Sequence, residues 1–242
     1  MKLRLLKSPN HSSSFRKKEK INFIIIHYTG MQSEGESIKR LTDKKTKVSA
    51  HYLINKKGSL VKMVDDNKVA WHAGKSRWKN IKNLNNQSIG IELVNKGHKF
   101  GYENFSQKQI TKLILLCKFL TKKYKIKKTN ILGHSDIAPL RKIDPGEKFP
   151  WHILFKKKIG YWYTLDIKNN KTYKFNRTNL RNFFFSNLYK IGYRYFNKKK
   201  HSSSDSKIVK AFQRRFRQNR VNGRIDKESL QISYELAHTL KN

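Results

Sequence analysis

The sequence predicts an α/β fold: a mixed central β-sheet flanked by helices, followed by a small three-helix domain. Three observations predict it. INFIIIH (21–27) and SIGIELV (88–94) are short β-branched runs that read as buried strands. An amphipathic helical pattern over 106–124 lies between strand signals, and such alternation indicates helices layered on a sheet. After about residue 174 the strand signals stop and three amphipathic stretches follow.

The elements follow in chain order. The N-terminal MKLRLLKSPNHSSS has charges breaking a very short apolar run, so it lacks the apolar core of a signal peptide. In the first strand, Ile21, Phe23, Ile25 and His27 share one face by the two-residue period, and His27 stands at the C-terminal end. SAHYLINKKGSLVKMV reads as a hairpin turning at Lys56-Lys57-Gly58-Ser59. In the strand over 88–94, Ile89, Ile91 and Leu93 point one way, and Gly90 and Glu92 the other. The helix over 106–124 opens on a capping-box pattern, Ser106 with Gln109. Its apolar stripe is Ile110, Leu113, Ile114, Cys117 and Leu120. TNILGH supplies another short strand ending in His134, and Trp151 begins a short closing helix.

TNLRNFFFSNLYKIGY, SDSKIVKAFQRRFRQNR and DKESLQISYELAHTL each fit an amphipathic helix. Ser206 or a neighbour caps the second, Asp226 caps the third, and Gly223 sits in the turn before it. The expected division is a catalytic domain over 1–160, a linker over 161–175 and a helical domain over 176–242.

Composition narrows the function classes. The chain has 242 residues, 55 basic against 16 acidic, and a formal charge of +39. That charge predicts attraction to anionic polymers: nucleic acid, acidic membranes or carboxylate-bearing wall polymers. It reads equally as a lysine-rich compositional bias, because the lysines are spread along the chain. One cysteine, Cys117, excludes an internal disulfide and a cysteine-rich zinc site. No stretch has the length of a membrane span. A cytoplasmic address is expected, with the periplasm or cell envelope as the alternative, and a monomer is expected.

The loop GHSDIAPLRKIDPGEKFPW, residues 133–151, concentrates what the chain otherwise lacks. It holds three of the four prolines (Pro139, Pro145, Pro150), and Asp136, Asp144 and Glu147 beside His134. His27, Glu92, His134 and Asp144 all lie at or near expected strand ends. A catalytic zinc keeps three nitrogen or oxygen ligands and one open position, and His27, His134 and Asp144 would supply that set. A carboxylate must then move the proton of the attacking water, and Glu92 is the candidate. The same residues also have structural readings: a strand-end histidine is commonly a hydrogen-bonded core residue, a single glutamate a surface ion pair, and Asp-Pro-Gly ordinary turn chemistry.

IIIHYTG, VSAHYLINKKGSLVKMV, AWHAGKSRW, NNQSIGIELVN and GHSDIAPLRKIDPGEKFPW occur in this order. Together they resemble the zinc-dependent N-acetylmuramoyl-L-alanine amidases of the peptidoglycan-recognition type, over about residues 5–160. The bacterial branch that trims wall fragments, anhydromuropeptides among them, is the nearest likeness. The resemblance implies one Zn2+ per chain on His27, His134 and Asp144, with Glu92 as general base and then acid. It implies that Lys142 stabilises the developing oxyanion, as a fixed ammonium can.

His51, Trp71, His72 and Asn95 become candidate substrate contacts. Trp71 and Trp78 are able to stack on a sugar, although core packing is the commoner fate of tryptophan; His51 reads equally as a packed histidine. Some family members carry a catalytic tyrosine at the position held here by Ala50, whereas an acid at position 92 is the family's other solution. IVKAFQRRFRQNRVNGRID resembles a peptidoglycan-binding module, through Phe212, Gln213, Phe216, Gly223 and Asp226, which stand equally for the core of a small bundle.

The expected partners are therefore peptidoglycan or muropeptide fragments. A non-catalytic peptidoglycan receptor on the same fold is the alternative, but a receptor would have lost a zinc ligand or the base, and all are present. A specific nucleic-acid partner is not expected, because no zinc-finger spacing or aromatic RNA-binding motif occurs.

Overall fold

The computed structural model describes residues 3–165 and 179–239. Ten strands and eight α-helices are found among them. The strands are β1 (Leu3–Leu5), β2 (His11–Phe15), β3 (Phe23–Tyr28), β4 (Tyr52–Ile54), β5 (Leu60–Lys62), β6 (Lys68–Ala70), β7 (Arg77–Trp78), β8 (Ile81–Lys82), β9 (Ser88–Leu93) and β10 (Ile131–Gly133). The helices are α1 (Glu34–Thr42), α2 (Gly97–Phe100), α3 (Gln107–Tyr124), α4 (His134–Ile137), α5 (Trp151–Lys156), α6 (Leu180–Ile191), α7 (Asp205–Phe216) and α8 (Lys227–Thr239).

Six strands form one mixed sheet in the order β1-β5-β4-β9-β3-β10. Neighbours along β4-β9-β3-β10 run parallel, and β5 returns antiparallel beside β4. This is the expected hairpin, with Asn55 and Gly58 closing its turn. The sheet is covered on both faces, which explains why β3 and β9 are apolar almost throughout. Ile24, Ile26, Ile89 and Ile91 pack against Ile110, Leu113, Cys117 and Leu120 of α3. Phe23 and Ile25 of β3, with Leu132 of β10, face the other way.

Two details correct the expectation. Ile21 lies outside the strand and packs with Ile24 and Ile26 instead of Phe23 and Ile25, because the two-residue alternation begins only at Phe23. The capping box of α3 is half made: Ser106 accepts from Gln109 N–H, but the Gln109 side chain donates to Ile54 O and Val94 O.

The N-terminal strands were not foreseen. HSSSF is polar, without alternation, and is held by antiparallel pairing with β6. Helix α1 was also missed, although Ser33 and Glu36 form an S-x-x-E start signal, in which Ser33 accepts from Glu36 N–H.

The three C-terminal helices form where the amphipathic stretches lie. Ser204, not Ser206, precedes α7, without a side-chain cap bond, while Asp226 accepts from Ser229 N–H at the start of α8. Their apolar faces do not close on themselves alone. Phe184, Phe185, Phe212 and Phe216 share one cluster with Phe23, Ile25, Trp78 and Leu132, so the second face of the sheet is covered by the C-terminal segment. Most of the expected linker, from residue 166 on, lies outside the described residues.

Candidate active site

Strand β3 delivers His27 to the C-terminal end of the sheet, and β10 delivers His134 as the first residue of α4. The 138–150 loop returns Asp144 beside both. His27 Nδ1 lies 3.0 Å from His134 Nδ1 and 3.0 Å from Asp144 Oδ2, and His134 Nδ1 lies 3.1 Å from that oxygen. All three residues are buried. Close packing of this loop needs Gly133, where a Cβ would come within 2.7 Å of Pro145.

Hydrogen bonds behind the trio fix what faces its centre. The Ser88 hydroxyl donates to Leu84 O at 2.6 Å, so its oxygen accepts from His72 Nε2–H at 3.1 Å. His72 Nδ1 is then an acceptor, and accepts a hydrogen bond from His27 Nε2–H at 3.0 Å. On the other side, His134 Nε2–H donates to Ala73 O at 3.1 Å. Both Nδ1 atoms are thereby left as bare lone pairs, pointing at each other and at a carboxylate oxygen. Burial foremost, with His134 adding repulsion, pushes His27 down to about 4, so its imidazole is neutral at neutral pH.

Three buried acceptors in mutual contact repel one another, and a cation at their centre converts that repulsion into coordination. The donor set and the outer hydrogen bonds suit a divalent metal such as zinc. Gly90 makes room for the His72 ring, which a Cβ there would meet at 2.4 Å. His72→Phe keeps the ring's bulk but removes the acceptor, so the His27 tautomer is no longer set. Zinc affinity is expected to fall by about 10- to 100-fold with the fold retained, measured by competition with a chromogenic chelator.

Glu92 and His27 are directly paired across β9 and β3. The Glu92 side chain lines the cleft that opens over the trio, yet its Oε2 is buried without a hydrogen-bond partner. Burial foremost, then the Asp144 charge, raises its carboxyl to about 8, against the opposing pull of Lys142 and Arg40. Lys142 lines the same cleft, and no ion pair of its ammonium is found among the described residues. The cleft has a volume of about 650 Å³, and Arg40, Lys47, Lys99 and Arg141 also line it. Among the described residues that line it, the carboxyl groups are those of Glu92 and Asp144.

The remaining expected contacts divide. Trp71 is 36% exposed and lines the cleft. His72 borders it, but both ring nitrogens are engaged by His27 and Ser88, so it orients a ligand instead of touching substrate. His51 is fully buried and does not line the cleft. Its Nδ1 accepts from Gly90 N–H, and its Nε2 contacts Lys68 O, so it braces β9. Asn95 is likewise buried, with its side chain on Glu103 O and Gly97 N–H, organising the turn after β9. Trp78 is core, packed on Tyr193 and Gly192. Among the residues sequence reasoning missed, Arg141 donates to Ala73 O beside His134, and the neighbouring Lys142 had itself been singled out only by resemblance.

Comparison with known proteins agrees with this geometry. A family model described as N-acetylmuramoyl-L-alanine amidase matches residues 17–147. The chain is similar to the N-acetylmuramoyl-L-alanine amidase AmiD of Escherichia coli K12, with 35% identity over 232 residues, covering 90% of this chain and 82% of AmiD. Its fold resembles the crystal structure of AmpDh3 from Pseudomonas aeruginosa at a TM-score of 0.80 and 30% identity, over 96% of both chains. It also resembles E. coli AmiD in complex with anhydro-N-acetylmuramic acid-L-Ala-D-γ-Glu-L-Lys, at a TM-score of 0.76 and 30% identity, over 94% of this chain and 92% of that one. The likeness to AmpDh3 and AmiD runs through the C-terminal helices as well as the sheet, and with the family match and the histidine–aspartate trio beside Glu92 it places this chain in the N-acetylmuramoyl-L-alanine amidase family.

Proposed function

We propose that the chain hydrolyses the amide between the lactyl group of N-acetylmuramic acid and L-alanine of the stem peptide, with one Zn2+ held by His27 Nδ1, His134 Nδ1 and Asp144 Oδ2. The observation that carries this reading is the convergence of three buried acceptor atoms at the floor of a cleft shared with Glu92 and Lys142. When bound there, zinc acidifies water and polarises a carbonyl. Glu92, ionised in that state, takes the proton of the attacking water and returns it to the alanine nitrogen as the amide breaks. Lys142 provides positive charge where the carbonyl oxygen becomes negative. Ser88 and His72 hold His27 in the ligating tautomer, and Ala73 O does the same for His134. Arg40, Lys47 and Lys99 supply a cationic wall for the carboxylates of a stem peptide. The anhydro-sugar peptide in the AmiD complex supports a released, anhydro-ended fragment as one substrate.

Purified protein incubated with defined muropeptides is expected to release stem peptide with an intact L-alanine N-terminus, seen by mass spectrometry. A chelator abolishes the release, and zinc restores it. Folded, zinc-loaded protein that cleaves neither anhydro-ended fragments nor sacculi would overturn the reading and leave a receptor.

A further inference from the structure

A second cationic groove, of about 590 Å³, lies outside the catalytic cleft, where the β7–β8 hairpin meets the chain after α6. Arg77 lines it from the hairpin; Tyr189, Arg194, Tyr195, Lys200 and His201 line it from the helical segment, and among the described residues no acidic one does. The two sides are locked together. Trp78 packs on Tyr193 at a ring separation of 5.0 Å and leaves no room for a Cβ on Gly192, while Lys79 N–H donates to Gly192 O at 2.8 Å. Two guanidiniums, adjacent in sequence to those contacts, are thereby held within electrostatic reach of each other. Arg194 is 7% exposed, lies 3.7 Å over the Tyr189 ring and donates through Nη1 to Tyr189 O and Tyr193 O. Burial foremost lowers its pKa, and Arg77 adds to that. Neither Arg77 Nε nor Arg194 Nε has a hydrogen-bond partner, and neither side chain has a carboxylate among the described residues.

Rigidly apposed like charges of this kind are relieved by an anion. Tyr195, at φ 74°, stands within electrostatic reach of both Arg77 and Arg141, and Arg141 lines the catalytic cleft. One residue of the groove thus stands near one residue of the catalytic cleft.

We propose that this groove is an anion subsite that takes a carboxylate of a neighbouring stem peptide when the substrate is a polymer of repeating units. The inference rests on the amidase reading for the identity of the polymer. On this reading a soluble single muropeptide is held by the cleft alone, and the groove serves the polymer.

The test compares Arg77→Gln with Lys200→Gln in one protein against a charge-matched control, Lys118→Gln with Lys122→Gln on the exposed side of α3. Binding to purified sacculi is measured by cosedimentation at about 0.15 M salt, where long-range attraction is screened. Native sacculi are compared with sacculi whose carboxyls have been amidated. The groove variant is expected to lose about ten-fold in affinity for native sacculi, the scale of one charge-assisted contact, while the control keeps its affinity. Amidation removes the carboxylates that face the cleft wall as well, so wild-type protein should lose more affinity on amidation than the groove variant does, by about the same ten-fold, and kcat/KM on a soluble muropeptide should be unchanged by the groove substitutions. Equal losses in variant and control, or indifference to amidation, would overturn the subsite. Failure of wild-type protein to cleave the soluble muropeptide would overturn the amidase reading, while the binding comparison would still judge the groove.

Discussion

Glu92→Gln is expected to reduce hydrolysis by roughly a hundred- to ten-thousand-fold and, in the metal-free protein, to increase stability above about pH 6. The first effect follows from removing the one carboxylate that, among the described residues, lines the cleft without being engaged by the histidines. The second follows from burial. The Glu92 carboxyl is raised from 4.5 to about 8, chiefly by desolvation and then by Asp144. Between those two values the folded protein keeps a proton that the unfolded chain has released. Stability therefore falls as pH rises through that window and levels off above it. Glutamine never ionises, so the variant escapes this loss, which approaches about 5 kcal/mol above pH 8. Urea unfolding of both chelator-treated proteins from pH 4.5 to 8.5 checks it. The other titrating groups are common to both proteins and cancel in the difference. A gap that widens with pH supports the assignment; a gap independent of pH would show that Glu92 is not held neutral by burial.

The same residue shows what the sequence made legible. His27 and Glu92 end apolar β-branched runs whose strand character is unambiguous, and parallel pairing of β3 with β9 puts them side by side. His134 and Asp144 were legible as polar residues in a loop stiffened by proline. The residues whose role local sequence left open are those whose burial depends on distant partners. His51 is closed in by Gly90, Lys68 and Arg16, and Asn95 is used up by Glu103 and Gly97, so neither reaches the cleft. Nothing local to SAHYL or ELVN announces those partners. The strand HSSSF carries no hydrophobic period and exists only through its pairing with Lys68–Ala70. The C-terminal helices were legible one at a time, because a 3.6-residue period says that one face is buried. It does not say against what, and the surface they cover is the second face of the sheet.

Arg215→Met is expected to destabilise the protein by about 3–5 kcal/mol, and to do so through the loop that carries the metal ligands. Arg215 lies on α7 and is 1% exposed. It reaches Asp136, also 1% exposed, at 2.5 Å, and donates to Ile131 O at 3.0 Å. Trp151 and Tyr161 flank its guanidinium at 4.2 Å and 4.5 Å. Asp136 in turn accepts from Tyr193 Oη–H at 2.6 Å and from Gly133 N–H at 2.8 Å, immediately before His134. Two more α7-side contacts hold the same loop: Arg214 lies 3.6 Å from Glu147, and Gln218 donates to Phe149 O at 2.6 Å. The acids concentrated between residues 133 and 151 are thus divided between two tasks. Asp144 joins the histidines, while Asp136 and Glu147 tie the loop to the C-terminal segment.

Methionine fills the space of Arg215 but leaves the Asp136 charge buried with two neutral donors, and an uncompensated buried charge costs more than the pair contributed. Asp136→Asn in the same chain removes that charge and is expected to recover most of the loss, as the coupling of a direct pair requires. Urea unfolding of the two single variants and the double variant measures it. A loss below about 1 kcal/mol in Arg215→Met would mean that water reaches the pair. A large loss that Asp136→Asn does not rescue would put the effect in the aromatic walls instead. Recovery in the double variant would place the cost in the uncompensated Asp136 charge; because the same C-terminal helices cover the sheet face behind His134, deleting residues 176–242 is expected to abolish hydrolysis even of a soluble fragment.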